Sequence, residues 1–131
     1  MSQKNQKAHL EHANLTVKDP LETAELFGRL FNWTIRWQGD AIHDGFSVHV
    51  GSDDTYLALY KGPTQSNATR SSHETRLGLN HLGVVVEDLT AAEHRVKQEG
   101  FATYSHASYE PGKRFYFKDR DGLEIEVIEY D

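Results

Sequence analysis

From about residue 10 to residue 18 apolar and polar positions alternate. Ala13, Leu15 and Val17 fall on one face, and His12, Asn14 and Thr16 on the other. Period-two alternation predicts a strand with one buried face. Asp19-Pro20-Leu21-Glu22 then reads as a helix start. The aspartate caps, the proline takes the first helical position, and the glutamate three residues after the cap closes a capping box. Ala24, Phe27, Leu30 and Phe31 recur at helical spacing and give one apolar stripe. Strand-like runs follow at 33–37, 46–50 and 55–60, with a loop over 38–45 and a Gly51-Ser52-Asp53-Asp54 turn. In the last run Leu57 and Leu59 face one way, and Tyr56, Ala58 and Tyr60 the other.

The pattern then starts again. Residues 62–76 are polar and read as a linker. A strand is predicted over 79–86. Thr90-Ala91-Ala92-Glu93 reads as a second capping box, with Leu89, Ala92 and Val96 as the helix stripe and Gly100 as its stop. Strands follow at 101–105, 113–118 and 123–130, with a loop over 106–112 and a tight Asp119-Arg120-Asp121-Gly122 turn. The two strand openings share a motif. His12-Ala13-Asn14-Leu15-Thr16-Val17-Lys18-Asp19 and His81-Leu82-Gly83-Val84-Val85-Val86-Glu87-Asp88 both read His, two residues, an aliphatic residue, one residue, Val, one residue, Asp. An internal repeat dictates architecture. The expectation is an α+β protein, one domain over 1–131, made of two βαβββ modules at 9–61 and 77–131. Its helices cover one face of the sheet.

Composition narrows the function. The chain has 131 residues, 37% hydrophobic and 11% aromatic, enough for a core. A formal charge of −6 with no basic run argues against a non-specific nucleic-acid binder. With no cysteine there is no disulfide, thiolate nucleophile or cysteine metal site. No apolar stretch approaches the roughly 20 residues of a membrane helix. The polar start carries no leader pattern, so a soluble, cytoplasmic protein is expected.

Strand parity supplies the candidate chemistry. His12 lies opposite Ala13, Leu15 and Val17; His81 opposite Leu82, Val84 and Val86; Glu126 opposite Leu123, Ile125 and Val127. If the apolar faces pack under the helices, all three ionisable groups project onto the other face. Two imidazoles and one carboxylate are a common catalytic divalent-metal ligand set, accepted by zinc, manganese, nickel or iron. Parity does not make the three meet in space. A single strand histidine is more often a surface residue than a ligand, but the repeated place of His12 and His81 argues for a shared role. On a wet polar face, alanine at any of the three is expected to remove metal with little cost to the fold.

The motifs EHANLTVKDP, NHLGVVVEDL and FYFKDRDGLEIEV resemble the vicinal oxygen chelate superfamily. That superfamily includes glyoxalase I, bleomycin-resistance proteins, fosfomycin-resistance thiol transferases and extradiol dioxygenases. The resemblance runs over nearly the whole chain from His9. It implies paired modules forming a curved mixed sheet around one divalent metal, with His12, His81 and Glu126 as ligands. Aligning Asp53-Asp54 with Asp121-Gly122 places Ala58 opposite Glu126, so the family's fourth, carboxylate ligand is absent. This puts a standard glyoxalase I reaction in doubt and looks more like the thiol-transferase and dioxygenase branches. Tyr116, ten residues before Glu126, resembles a substrate-contacting tyrosine of the transferase branch. The full anion- and potassium-binding set of that branch is not seen.

Arg114 shares parity with Tyr116 and reads either as a holder of a substrate carboxylate or phosphonate or as a solvated edge charge. Other residues are weaker candidates. His49, between Val48 and Val50, has no facing that the pattern fixes. Trp33 and Trp37 read as core or dimer-interface residues, Glu124 as peripheral and His94 as solvated. His9, His43, His73 and His106 fall in loops or at the polar start and receive no role. The leading expectation is a metal-dependent enzyme acting on a small oxygenated substrate. Lyase or isomerase, thiol-transfer and dioxygenase chemistry all stay open. The alternative is a metal-free ligand-sequestering protein of the bleomycin-resistance type. The resemblance also implies a homodimer whose subunits share each site.

Overall fold

The computed structural model describes residues 7–66, 73–109 and 111–131. Backbone contacts divide the chain into two compact units: Met1–Gly28 with Asn32–Thr64, and Arg29–Phe31 with Gln65–Asp131. Residues 67–72 of the expected linker lie outside the described residues.

The first unit contains β1 (His12–Thr16), most of α1 (Pro20–Phe31), β2 (Thr34–Ala41), β3 (Gly45–Gly51) and β4 (Tyr56–Lys61). Its sheet runs β1-β4-β3-β2, with β1 parallel to β4 and the other pairs antiparallel. The second unit contains β5 (Leu82–Val85), α2 (Leu89–Gln98), β6 (Tyr104–Tyr109), β7 (Gly112–Lys118) and β8 (Glu124–Tyr130). Its sheet runs β5-β8-β7-β6 with the same pattern of directions. The fold is therefore α+β, two repeats of one βαβββ module carrying two four-stranded mixed sheets. Among the described residues no helix is long and apolar enough to cross a membrane.

The helix starts follow the capping chemistry in one case and correct it in the other. Asp19 is extended and its Oδ1 accepts the Glu22 N–H at 3.2 Å, with Pro20 at the first helical position. In α2 the cap is Asp88, not Thr90: its Oδ1 accepts the Ala91 N–H at 3.0 Å. Glu93 is thereby released from capping and bonds Thr103 Oγ1 at 2.5 Å and His106 Nε2 at 2.6 Å. His106 thus lies on β6 rather than in a loop.

Two strands extend into the loops expected over 38–45 and 106–112. β2 and β6 each form one edge of their sheet, and most of their residues are exposed. These two strands have no buried face to write an alternating pattern into the sequence, so polar content there reads as loop. The β2–β3 turn places His43 and Asp44 in the left-handed region, the backbone a tight hairpin needs. Tyr60 Oη donates to the Ile42 carbonyl at 2.8 Å and its ring lies where a Gly45 side chain would stand.

The core of the second unit contains the helix stripe and the Ile125 and Val127 face expected from the sequence, joined by two phenylalanines of β7. Leu89, Ala92 and Val96 of α2 are buried, as are Phe115, Phe117, Ile125 and Val127 of β7 and β8, the strands α2 packs on. Burying each phenylalanine side chain contributes about 1.5–3 kcal/mol. The β7–β8 turn is held by Asp119, whose Oδ1 accepts the N–H groups of Asp121 at 2.9 Å and Leu123 at 3.0 Å. Burial pushes this carboxyl above its ordinary range. Its ionisation near neutral pH therefore opposes folding, while its oxygen serves two amides. Asp119→Ala should cost about 1–3 kcal/mol, because both donors lose their acceptor. Asp119→Asn keeps an acceptor without the buried charge and should stay within about 1 kcal/mol of wild type. Urea unfolding monitored by circular dichroism checks both; equal losses in the two variants would contradict this account.

Candidate metal centre

In the second unit, β8 carries Glu126 between β5 and β7. Its neighbour on β5 is Gly83 and on β7 Tyr116. Glycine leaves the space over Glu126 free of any β5 side chain. His81, just before β5, fills it: His81 Nε2 stands 3.0 Å from Glu126 Oε1. The other carboxylate oxygen, Oε2, accepts from Arg114 Nη1 at 2.9 Å. The His81 ring meets Tyr116 edge to face at 5.7 Å. The Arg114 guanidinium lies 4.8 Å from the Tyr109 ring centre, a cation–π contact. Four sequence candidates, His81, Glu126, Arg114 and Tyr116, are thus one cluster.

The electrostatics follow from this packing. Burial, then the charge and hydrogen bonding of Glu126, push the Tyr116 phenol above its ordinary value. The bond to Glu126 raises Arg114 further. Tyr104 stacks near Tyr116 and donates to Glu124 Oε2 at 2.6 Å. Burial, then that bond and the Glu124 charge, carry the Tyr104 phenol to about 12. Both tyrosines are therefore protonated donors at neutral pH.

The expectation of a wet polar face is corrected for Glu126. Its side chain is only 10% exposed and Arg114 only 13%, against 35% for His81. Arg114 is accordingly the carboxylate's partner, not a solvated edge charge. The β7–β8 hairpin brings them together: its turn at 119–122 makes Tyr116 face Glu126, and Arg114 is the next residue on that face.

His12 belongs to the first unit. Its Nδ1 pairs with Glu11 Oε1 at 2.9 Å. In the neutral ring, a carboxylate accepting from Nδ1–H leaves the lone pair on Nε2, the arrangement found behind metal-binding histidines. The ring stacks on Tyr56 at 4.8 Å; His49 stacks on Tyr56 at the same separation, and Trp37 sits 5.0 Å from His49. Arg36 lies 4.5 Å from the Tyr56 ring centre. His49 therefore shares a face with His12, a placement its flanking valines hid. Burial, then the charges of His12 and Arg36, lower its basicity. Strand register also puts Ala58 at the place of Glu126: Asn14 faces Ala58 as Gly83 faces Glu126.

Donor chemistry fits a divalent ion. Ligand atoms on adjacent corners of an octahedron with bonds of about 2.1 Å stand about 3.0 Å apart. The His81 Nε2 to Glu126 Oε1 separation is 3.0 Å, and Arg114 holds the second oxygen out of the way. Among the described residues no group of three or more His, Asp or Glu side chains gathers to hold a metal. Within one chain the pair His81 and Glu126 converges, and His12 sits on the other unit.

The sequence model described as "Glyoxalase/Bleomycin resistance protein/Dioxygenase superfamily" matches residues 9–127. No curated protein sequence matches the chain. Several solved structures share its fold. A glyoxylase/bleomycin resistance protein/dioxygenase domain from Frankia sp. EAN1pec has a TM-score of 0.77 at 22% identity, covering 96% of this chain and 100% of that one. TnmS3, an antibiotic binding protein from Streptomyces sp. CB03234, has a TM-score of 0.73 at 18% identity, covering 95% and 98%. The fosfomycin resistance protein FosX from Listeria monocytogenes, complexed with Mn(II) and sulfate, has a TM-score of 0.71 at 18% identity, covering 96% and 95%. At these identities the likeness is one of fold.

Proposed function

Because this chain belongs to the Glyoxalase/Bleomycin resistance protein/Dioxygenase superfamily, we propose that it is a divalent-metal-dependent enzyme acting on a small oxygenated substrate. His12, His81 and Glu126 are its ligands; Tyr116 and Arg114 touch substrate. The observation that carries this is the 3.0 Å approach of His81 Nε2 to Glu126 Oε1. The Mn(II)-bound FosX of the same fold supports an ion of the manganese, zinc, nickel or iron kind. Bound there, such an ion supplies Lewis-acid polarisation of a substrate's adjacent oxygens. The chain's own residues do the rest. Arg114 keeps Glu126 oriented through Oε2. The Tyr116 phenol, held protonated, donates to a substrate oxygen as negative charge develops on it. Ala58 leaves the second-carboxylate position empty of a proton-transfer group, which favours thiol transfer or dioxygenase chemistry over a two-glutamate isomerase. Elemental analysis of the purified protein, followed by turnover assays with an epoxide plus thiol, a hemithioacetal and a catechol, tests the reading. One ion per chain and turnover of one class support it. No metal uptake and no turnover would overturn it.

One observation favours the alternative, a metal-free protein that sequesters a ligand, as the antibiotic-binding TnmS3 of the same fold would suggest. Glu126 has two protein partners, His81 and Arg114, which can hold its carboxylate in place on their own. Tight ligand binding after chelator treatment, without turnover, identifies that case.

The proposal extends to assembly. His12 comes from a second copy of the chain in a two-fold homodimer, and the protein is soluble and cytoplasmic. Four strands are too few to wrap a ligand, whereas eight can close around one. A two-fold interface supplies two equivalent sites. Exposed Trp37 is available to such an interface. Light scattering at micromolar concentration should give twice the chain mass of 14.9 kDa. A monomeric mass with metal still bound rejects the shared site.

A further inference from the structure

Arg114 has more hydrogen-bonding capacity than the cluster uses. Its Nη1 serves Glu126, but Nε and Nη2 are buried and have no partner. These two nitrogens are not an arbitrary pair. Their N–H bonds run parallel along one edge of the planar guanidinium, the edge that meets a two-oxygen anion in a fork. Buried donors without acceptors are costly, so native structures supply them with partners. The protein fixes this edge in place: Glu126 holds one end of the guanidinium and Tyr109 covers its face at 4.8 Å. The side chain as a whole remains 13% exposed. Tyr109 itself is 61% exposed and sits on β6, the edge strand of its sheet.

We infer that the unpartnered Nε–Nη2 edge of Arg114 is a subsite for a planar carboxylate or a phosphonate, two oxygens of which it binds side-on beside the His81–Glu126 pair. One water could meet only one of the two donors well. A two-oxygen anion meets both and supplies the negative charge that a divalent ion plus Arg114, set against a single glutamate, leaves wanting. The inference deepens the proposed function by naming the substrate as an acid, and rests on that reading for the claim that the anion is substrate. Anion binding itself needs no metal.

The test uses full-length, 15N-labelled protein stripped of metal by chelator. Sodium acetate and methylphosphonate are titrated in turn against sodium chloride at matched ionic strength, and the Arg114 Nε–Hε resonance is followed. The expected result is a saturable shift with one or both oxyanions and none with chloride. Arg114→Lys keeps the charge but loses the fork and should weaken binding by at least about 10-fold. An unmoved resonance, an equal response to chloride, or undiminished affinity in Arg114→Lys would overturn the inference. The wild-type titration decides the matter even if that variant folds poorly. The two readings fail separately: zinc uptake with a silent Arg114 resonance sinks the subsite alone, whereas anion binding without zinc uptake sinks the metal centre alone.

Discussion

Replacing Glu126 with glutamine should lower divalent-metal affinity by at least about 100-fold. Removing even an outer partner of a ligand typically costs 10- to 100-fold, and here a ligand itself loses its charge. The amide retains an oxygen for Arg114 Nη1, so the fold should survive and the melting temperature should change little. Glu126→Ala should behave differently. It removes the acceptor of a guanidinium whose Nε and Nη2 already lack partners. An unpaired, largely buried charge destabilises, so alanine should lose both metal and thermal stability. His81→Ala should match glutamine rather than alanine, since His81 is 35% exposed and leaves Arg114 paired. Metal content by inductively coupled plasma mass spectrometry and melting by circular dichroism separate the two effects. Full metal content in Glu126→Gln would remove Glu126 from the ligand set.

Phe117→Ala should be among the most damaging single truncations for stability. Phe117 is fully buried on β7, pairs with Ile125 of β8, and packs against Phe101 at 5.8 Å and Phe115 at 6.5 Å. Emptying such a site removes the transfer free energy of the ring and leaves a cavity, about 3–5 kcal/mol together. For a chain of this size that lowers the melting temperature by roughly 10–20 °C. The neighbouring rings can relax only partly, because Phe115 is equally enclosed. Phe117→Leu fills much of the volume and should recover more than half of the loss. A drop of under about 3 °C in Phe117→Ala would mean that the site is looser than its burial implies.

The central elements were legible because their buried faces write a period into the sequence. Phe115 and Phe117 alternate with Arg114, Tyr116 and Lys118, and Leu89, Ala92 and Val96 follow a helix stripe. The sequence ends β2 too soon, at 37, and places β6 three residues too early, at 101–105, because these strands bury neither face and their residues answer to solvent, not to a core. The α2 cap, Asp88, was hidden because Thr90-x-x-Glu93 reads as a capping box two residues later, and only tertiary contact with Thr103 and His106 draws Glu93 away. At the site, the facing of Glu126 and Tyr116 was readable from parity. The pairing of Arg114 with Glu126 was readable in principle from the hairpin centred on 119–122. Its burial was not, since an arginine in an alternating strand looks alike whether it meets water or a carboxylate. His49 was hidden by the valines on both sides of it, which leave the strand's inner face unspecified.

Coordination by both histidines is the claim on which the rest depends. Pulsed electron paramagnetic resonance of the Mn(II)-loaded protein reads it directly, through coupling of the ion to imidazole nitrogen. Two coupled imidazoles are expected in the wild type, and one in each of His12→Ala and His81→Ala where the ion is retained at saturating Mn(II). A wild-type spectrum with no imidazole coupling, or one unchanged by His81→Ala, would contradict it.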